Sequence, residues 1–492
     1  MNKKPRKNKS GISRRDSFKL SGLALGGLAL GGMTGKIYGQ SGGSDPTQQF
    51  TDFSNLPAFT PPETLAADQM RIWFFGTSCI PRLTQECNSI FVEVGQGSNG
   101  LPLDQFVFDC GSGVVAKYNA AKIPNARMNK VFLTHLHGDH ISDLCHLYCF
   151  GPSTDRKSPF YIWGPGPSGV INPMPPPVYY NDGTKAFCAN FREAMRWHTE
   201  SFSFENTRYS GYRPPTRQSW GLPVNPIPVG NDDPRDGYAV VPIELPAPIS
   251  TAPNIAYNNA STGVKITYFP AIHCRRGSVS YKLEWNGLSM IFSGDTKPNY
   301  DMMAQASNLG KGVDVLIHEM VMPASVWAMK NLGITDPSQV SPNIWNAALN
   351  NATAVQNSSH TPQGAFGYLL SQISPYPRLT VATHFQAEDD TVDSAKSSVN
   401  AHFPPTNVYP GNIVWAADFM VINVSKTGIQ VRQAAVSGYA FYPFPTLYGG
   451  LIPPKYHNAD GTGNAFAQID TTRSIPATDP YTGAVNYRSD GF

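Results

Sequence analysis

Four side chains that can bind a metal ion crowd into six residues of the chain. They are His135, His137, Asp139 and His140. Imidazole nitrogens suit a borderline-soft cation such as Zn²⁺, and a carboxylate adds negative charge. A single histidine near a strand end is usually structural, but four such groups at one point need a shared partner. The spacing therefore predicts a metal site.

An apolar run carries this cluster. Lys130–Thr134 is typical of a short buried strand, and the histidine-rich run begins directly after it. A turn at the end of a strand can direct alternate side chains toward one point. The strand therefore predicts that the four groups converge.

Further acidic and histidine residues follow the same pattern of a strand and then a polar group. They are Asp109 in Phe108-Asp109-Cys110, His273 in Ile272-His273, Asp295 in Ser293-Gly294-Asp295 and His384 in Thr383-His384. Together with the cluster, this ordered series resembles the signature of the metallo-β-lactamase superfamily, over roughly residues 70–425. The resemblance implies an α/β (αββα) sandwich, in which two mixed β-sheets are flanked by helices.

The resemblance also implies two cation sites. The first would have three histidine ligands, which are His135, His137 and His273. The second would have two histidines and an aspartate, which are His140, His384 and Asp139. Asp295 would bridge the two cations, and Asp109 would support the metal loop from behind. The expected cofactors are two Zn²⁺ ions, with Mn²⁺ or Fe²⁺ as alternatives, and a hydroxide between them as the nucleophile.

A further pair resembles the ribonuclease Z and arylsulfatase-like branch of this superfamily. His360 lies in Ser359-His360-Thr361, where the family motif has serine in place of Thr361, and Glu319 ends a predicted strand. A carboxylate orients an imidazole and raises its pKa, so that it can protonate a departing alkoxide. The resemblance therefore makes His360, Glu319, Asp139 and Asp109 the candidate catalytic residues.

The charge of such a site indicates its substrate. Two divalent cations offset by two carboxylates and one hydroxide leave a net charge of about +1, which favours an anionic ester or a carbonyl oxygen. Arg275 and Arg276 follow His273 and either add to this charge or face solvent. We expect a small anionic ester as substrate, either a sulfate ester or a phosphodiester.

Residues 1–40 have the pattern of an export signal. Ser13-Arg14-Arg15-Asp16-Ser17-Phe18-Lys19-Leu20 resembles a bacterial twin-arginine signal, and the apolar run after it is too short and glycine-rich to span a membrane. The expected partner is the twin-arginine export machinery. The expected location is the periplasm or the medium, with no membrane anchor after cleavage.

The charge of the chain argues against a nucleic-acid partner. Residues 1–40 hold nine of the 38 Lys and Arg but one of the 35 Asp and Glu, so the remainder carries 29 basic and 34 acidic residues. A nucleic-acid binder normally has a basic excess. We therefore expect no nucleic-acid substrate and disfavour the tRNA-processing role of ribonuclease Z. A homodimer is left open.

Composition divides the remaining chain into three parts. Residues 41–68 read as a linker or arm, 69–432 as the hydrolase domain and 433–492 as an ordered tail. Within the domain, 152–260 contains 18 prolines and is interpreted as a long insertion near the substrate cleft, with a helix at Thr184–Thr199.

Two alternatives remain at this point. A lactonase or β-lactamase would hydrolyse a carbonyl compound with the same cations and would not need His360. A non-catalytic binding protein could keep the fold, but all seven candidate ligands are present, and loss of activity usually removes ligands first.

Overall fold

The structure is a computed structural model that describes residues 56–82, 85–156, 158–172, 175–203, 237–248, 254–385 and 392–436. All of them lie in one compact unit, Pro46–Phe492. The predicted export signal and most of the predicted tail fall outside the described residues. Among the described helices, none combines the length and the apolar character needed to cross a bilayer.

The first sheet has nine strands in the order β1-β18-β17-β2-β3-β4-β5-β6-β9. Its strands are β1 Ala58–Phe59, β2 Met70–Gly76, β3 Ser89–Val94, β4 Asp104–Phe108, β5 Lys130–Phe132, β6 Phe160–Pro165, β9 Val240–Leu245, β17 Met420–Val424 and β18 Ile429–Ala434. The strands β4, β5, β6 and β9 run parallel, and the pairs β2–β3 and β3–β4 are antiparallel.

The second sheet has seven strands in chain order, from β10 to β16. They are β10 Ile255–Asn259, β11 Val264–Pro270, β12 Val279–Trp285, β13 Leu288–Phe292, β14 Val315–Glu319, β15 Leu379–Thr383 and β16 Ile413–Trp415. The first four are antiparallel, and β13 to β16 are parallel. A separate ribbon pairs β7 Ile171–Asn172 with β8 Val178–Tyr179.

Ten described helices cover the outer faces or connect the strands. They are α1 Val114–Ala120, α2 Gly138–Ile141, α3 Leu144–Thr154, α4 Thr184–Ala194, α5 Arg196–Ser203, α6 Tyr300–Ser307, α7 Ala324–Leu332, α8 Pro342–Ser359, α9 Gln363–Ser371 and α10 Val392–Asn400.

The side chains of β2 show why the layers form. Every residue of this strand is buried, so both of its faces are covered. Met70, Ile72 and Phe74 face the core between the two sheets, whereas Trp73 and Phe75 pack with the helical layer that contains α1 and α3. Since strand side chains alternate, one strand joins two cores.

The second sheet repeats this arrangement. In β13, Met290 and Phe292 enter the core between the sheets, and Ile291 packs against helices α6, α9 and α10 on the opposite face. The order of layers is therefore helix, sheet, sheet, helix. The predicted αββα class is confirmed.

The predicted insertion at 152–260 needs correction. Three of its segments are strands of the main sheets, namely β6, β9 and β10, so this part of the chain contributes to the core as well as to the surface. The prolines hid these strands because Pro165 and Pro242 lie inside them and Pro159 directly precedes one. The predicted helix at Thr184–Thr199 is two helices, α4 and α5, separated at Met195.

Candidate metal centre

The candidate ligands follow strands whose ends meet at one edge of the sandwich. Asp109 follows β4, and the His135–His140 run follows β5, its parallel neighbour. In the second sheet, Asp295 follows β13 and His384 follows β15, with both strands parallel to β14. Since carboxyl ends of parallel strands share one edge, residues 275 positions apart meet there.

The first cluster contains three imidazoles and one carboxylate. His137 Nδ1 lies 2.9 Å from His135 Nε2 and 3.1 Å from His273 Nε2. Asp295 Oδ2 lies 3.9 Å from the Nε2 atoms of both His135 and His273. Four ligand atoms therefore surround one point, as the resemblance implied for the first cation.

The second cluster shares Asp295 with the first. Its other carboxylate oxygen, Oδ1, lies 3.2 Å from His140 Nε2 and 3.4 Å from His384 Nε2. Asp139 Oδ2 lies 3.3 Å and 3.4 Å from the same two nitrogens. Asp295 thus presents one oxygen to each cluster, which is the arrangement of a bridging ligand.

These donors fit divalent cations. Ligands about 2.0–2.1 Å from a tetrahedral zinc lie roughly 3.3 Å from one another, close to the spacings found here. His140 Nε2 and Asp295 Oδ1 are also buried without any hydrogen-bond partner. A buried polar atom without a partner costs free energy, so a cation between these atoms would remove that cost.

Asp109 holds the metal loop from behind, as expected. It accepts hydrogen bonds from the Thr134 amide and hydroxyl at 2.8 Å each. Its Oδ2 also lies 2.7 Å from His140 Nδ1, which leaves Nε2 of that ring facing the second cluster. Asp109 does not itself line the cluster, so it is a positioning residue and not a catalytic one.

Other ligands are oriented by groups that the sequence analysis missed. His273 Nδ1 lies 3.0 Å from the Ser359 carbonyl oxygen, which turns His273 Nε2 toward the first cluster. His137 Nε2 lies 3.5 Å from the sulfur of Cys274, on the outer side of the ring. Backbone carbonyls carry no sequence signal, so the Ser359 contact could not have been foreseen.

The two clusters differ in their response to protons. Burial lowers the pKa of His135 well below its usual value and also lowers the pKa values of His137 and His273. These rings are therefore neutral, as metal ligands must be. Burial alone would lower the pKa of His140 as well, but the nearby carboxylates, with Asp295 foremost, raise it. The second cluster thus attracts positive charge.

His360 and Glu319 meet beside the clusters. His360 Nδ1 lies 3.0 Å from Glu319 Oε2 and 3.9 Å from Asp295 Oδ2. Glu319 is fully buried and also accepts a hydrogen bond from the Thr296 amide. Burial alone would lower the pKa of His360, but the Glu319 carboxylate raises it to about 9. The structure therefore brings this predicted pair together.

A pocket of about 270 Å³ opens next to the first cluster. It is lined by His135, His137 and Arg276, and by Asp182 and Ser168 from the predicted insertion. The insertion therefore supplies one wall of the cleft at this pocket. Asp182 is not among the predicted site residues because no motif surrounds it in the sequence.

Comparisons with known proteins agree with the fold and the site. Residues 86–147, which include Asp109 and the His135–His140 run, match the family model of the metallo-beta-lactamase superfamily. A ribonuclease Z of Prochlorococcus marinus is 25% identical over 260 residues, covering 51% of this chain and 75% of that protein. A ribonuclease BN of Cronobacter sakazakii is 24% identical over 266 residues, covering 52% and 78%.

Among solved structures, the chain is similar to the metallo-beta-lactamase fold protein YhfI from Bacillus subtilis. The TM-score is 0.42, with 13% sequence identity over 73% of this chain and 100% of that chain.

The relatives overturn one expectation. The net charge of the chain predicts no nucleic-acid partner, and this prediction is wrong because the relatives are ribonucleases. Net charge averages over a whole surface, whereas a nucleic acid meets the local charge of a cleft. The expected resemblance to the metallo-β-lactamase superfamily, in its ribonuclease Z-like branch, is confirmed, and the chain is a metal-dependent hydrolase of ester bonds.

Proposed function

We propose that this protein is a phosphodiesterase that hydrolyses the phosphodiester bonds of RNA. We further propose that it works with two bound Zn²⁺ ions, with Mn²⁺ or Fe²⁺ as alternatives. The ribonuclease relatives support the substrate class. The two clusters joined by Asp295 support the number of cations. The general activity, metal-dependent hydrolysis of ester bonds, does not depend on whether RNA is the substrate.

The observation that carries the proposal is the contact between His360 and Glu319 at the edge of the clusters. A phosphodiester in RNA has an alkoxide leaving group, which needs a proton as the P–O bond breaks. The alternative activity, carbonyl hydrolysis of a lactone or β-lactam, does not need this pair. An imidazole paired with a buried carboxylate beside the ligands therefore favours the phosphodiester.

The geometry assigns each nitrogen of His360 a role. Nδ1 faces Glu319 and donates to its carboxylate, so Nε2 is the atom left to face a substrate. In the metal-free protein the Glu319 carboxylate raises the pKa of His360 to about 9, so Glu319 favours the ring that carries both protons. His360 Nε2 would then give its proton to the leaving oxygen, and Glu319 would stabilise the ring before and after that transfer.

The remaining residues bind and orient. His135, His137 and His273 would hold one cation, His140, His384 and Asp139 the other, and Asp295 both. When bound, the two cations would activate a water molecule and offset the charge that develops on the phosphate oxygens. Asp109 and the Ser359 carbonyl keep the ligand rings in the required orientation.

The test compares two leaving groups. We expect His360→Gln to lower kcat for an RNA dinucleotide by about 10²–10⁴-fold, the usual worth of a general acid. The same variant should lose about tenfold or less with bis(p-nitrophenyl) phosphate, because a phenolate leaves without a proton. His146→Gln is a matched control on the exposed face of α3 and should change neither rate. Equal losses on both substrates would contradict the assigned role.

A sulfate ester stays the second candidate for the substrate. It is anionic too and can also release an alkoxide, but the relatives named above are ribonucleases. A chromogenic sulfate ester and a lactone belong in the same assay. Turnover of the lactone alone, unaffected by His360→Gln, would favour the carbonyl reading.

We also propose that the protein is exported by the twin-arginine route to the periplasm or the medium. The support is the motif at residues 13–20, which lies outside the described part of the chain. Export in the folded state suits a hydrolase that acquires its cations before it leaves the cytoplasm.

A further inference from the structure

Two neighbouring arginines at the pocket beside the first cluster have different surroundings. Both Arg275 and Arg276 line this pocket, and among its lining residues Asp182 is the one carboxylate. The sequence alone is compatible with arginines that bind the substrate and with arginines that face solvent. The contacts of each side chain separate their roles.

Arg275 is bound to the wall of the pocket. Its Nε donates to Asp182 Oδ2 at 2.7 Å, a terminal nitrogen donates to the same oxygen, and the guanidinium lies 5.3 Å from the centre of the Tyr180 ring. Asp182 also accepts hydrogen bonds from the Ser168 amide at 2.9 Å and its hydroxyl at 2.7 Å. The charge of Arg275 is therefore neutralised, and Arg275 ties Asp182 to the loop after His273.

Arg276 has no such partner among the described residues. It is exposed at the pocket, and no described carboxylate lies within ion-pair distance of it. Apart from the two histidines that belong to the first cluster, the charged side chains of the lining are Asp182, Arg275 and Arg276. The first two cancel, so the pocket keeps one positive charge, on Arg276.

The backbone holds Arg276 in place. The Ala271 amide donates to the Ser278 carbonyl at 3.0 Å, and the Ser278 hydroxyl lies 3.2 Å from the Arg275 carbonyl. Gly277 has a φ of +97°, a conformation that favours glycine, and closes the turn. Arg276 thus sits on a fixed turn, three residues after the ligand His273.

We propose that Arg276 binds a second phosphate of the substrate, the one next to the phosphodiester that is cleaved. The ligand class is a nucleotide chain with at least two phosphates. Arg275, by contrast, is a positioning residue that acts through Asp182. This inference rests on the proposed function, since it assumes that the cleaved phosphodiester binds at the two clusters. A planar guanidinium can give a phosphate two parallel hydrogen bonds, which a lysine cannot do.

The test uses the full chain loaded with zinc and two labelled RNA analogues in which methylene groups replace the bridging oxygens, so that neither is hydrolysed. The dinucleotide analogue has one phosphorus group, and the trinucleotide has two. Fluorescence anisotropy gives the dissociation constants. Arg276→Gln should weaken the trinucleotide about tenfold, in keeping with the loss of a charge-assisted contact, and the dinucleotide less than twofold. The salt dependence of trinucleotide binding should fall by about 0.7 in log–log slope, the value for one phosphate on a single strand.

Two further variants separate charge from structure. Arg276→Lys should recover part of the lost trinucleotide affinity because it keeps the charge. Arg275→Gln should weaken both analogues by similar factors, since it frees the wall of the pocket and removes no phosphate contact.

The inference is overturned if Arg276→Gln weakens both analogues equally or neither, or if the unmodified protein binds the two analogues with the same affinity. A failure of the proposed function looks different. In that case the unmodified protein hydrolyses no phosphodiester. It still binds the trinucleotide analogue more tightly than the dinucleotide analogue, and Arg276→Gln still removes this difference in affinity.

Discussion

His140 donates a hydrogen bond from Nδ1 to Asp109 Oδ2 at 2.7 Å, and both side chains are fully buried. The contact fixes which nitrogen of His140 faces the second cluster. Asp109 has a φ of +55°, so the backbone conformation that places its carboxylate is itself uncommon. Thr134 donates twice to the same carboxylate, so three hydrogen bonds from described residues hold it in place.

Asp109→Asn should therefore weaken the second cation without removing any ligand. The amide keeps one acceptor oxygen and turns an NH₂ group toward a donor, which frees His140 to rotate. We expect a 10–100-fold loss of affinity for one of two zinc ions, the usual effect of losing such a partner. Titration with a competing chelator measures it. Asp143→Asn, which changes a carboxylate bound to the Val115 amide, is the matched control. Loss of both ions, or the same loss in the control, would refute this account.

The pair of Glu319 and His360 makes a prediction about pH. In the metal-depleted protein, NMR titration should give His360 a pKa of about 9, and Glu319→Gln should lower it because the carboxylate is the cause of the rise. A histidine whose pKa is higher in the folded than in the unfolded protein stabilises the fold. This contribution is complete below pH 6.5 and is lost as the pH rises through about 9. The difference in unfolding free energy between the protein and Glu319→Gln should therefore shrink from pH 6 to pH 10. A difference that stays constant over this range would rule out the pairing.

The residues of the site were more predictable than the contacts that hold them. The His135–His140 run, Asp295 and His384 stand in an order that the sequence displays, each after an apolar strand. The strand predicted at Lys130–Thr134 is found as β5, Lys130–Phe132, because a short apolar run is recognisable in the sequence. The clusters form because the carboxyl ends of such strands lie at the same edge of the sandwich.

The elements and contacts that were missed lack a local pattern. Helix α8 was not predicted because it buries only Ala352, Gln356 and Ser359 of its 18 residues, so its apolar periodicity is weak. The bond from Arg275 to Asp182 joins residues 93 positions apart, in a segment without a motif. Pairing across such a distance depends on the fold and cannot be read from either residue alone.

Removal of the cations should destabilise the protein, and more so at higher pH. Ligands that bind only the folded state stabilise it by mass action, by about 2.7 kcal/mol at a hundredfold excess over Kd. In the metal-free protein, burial alone would lower the pKa of His384, but Asp295 raises it, and the pKa of His140 is raised as well. Protons on these rings stabilise the fold fully below pH 6.5 and leave as the pH rises through the raised values.

The gain in Tm on adding zinc back should therefore be larger at pH 8 than at pH 6. Thermal unfolding of chelator-treated protein at the two pH values measures it. A gain that falls from pH 6 to pH 8 would contradict the assignment of His140 and His384 to the cation site.

If the protein is exported by the twin-arginine route, replacing the paired arginines should change where the protein is found. Replacing Arg14→Lys and Arg15→Lys together keeps the charge of the leader but removes the paired guanidinium groups of the motif. We expect the altered protein to stay in the cytoplasm of a bacterial host, whereas the unaltered chain reaches the periplasm. Cell fractionation and immunoblotting measure this, with Lys3→Arg as the control. An unaltered chain that stays in the cytoplasm would refute export by this route.

Gly294 links the two sheets directly behind the bridging ligand. It precedes Asp295, its φ is +57°, and a Cβ added to it would lie 2.5 Å from the Cβ of Thr134, which precedes His135. Gly294→Ala should therefore push apart two segments that carry ligands. We expect a loss of about 2–4 kcal/mol in unfolding free energy, from the strained backbone and the overlap together, and weaker zinc binding. Gly364→Ala in α9 is the control, since a Cβ there meets no atom within 4 Å, and alanine should stabilise the helix by about 0.5–1 kcal/mol. Urea unfolding gives the stability of both variants, and elemental analysis gives their zinc content. A Gly294→Ala protein with unchanged stability and full zinc content would show that this close approach of the two sheets is not needed to place Asp295.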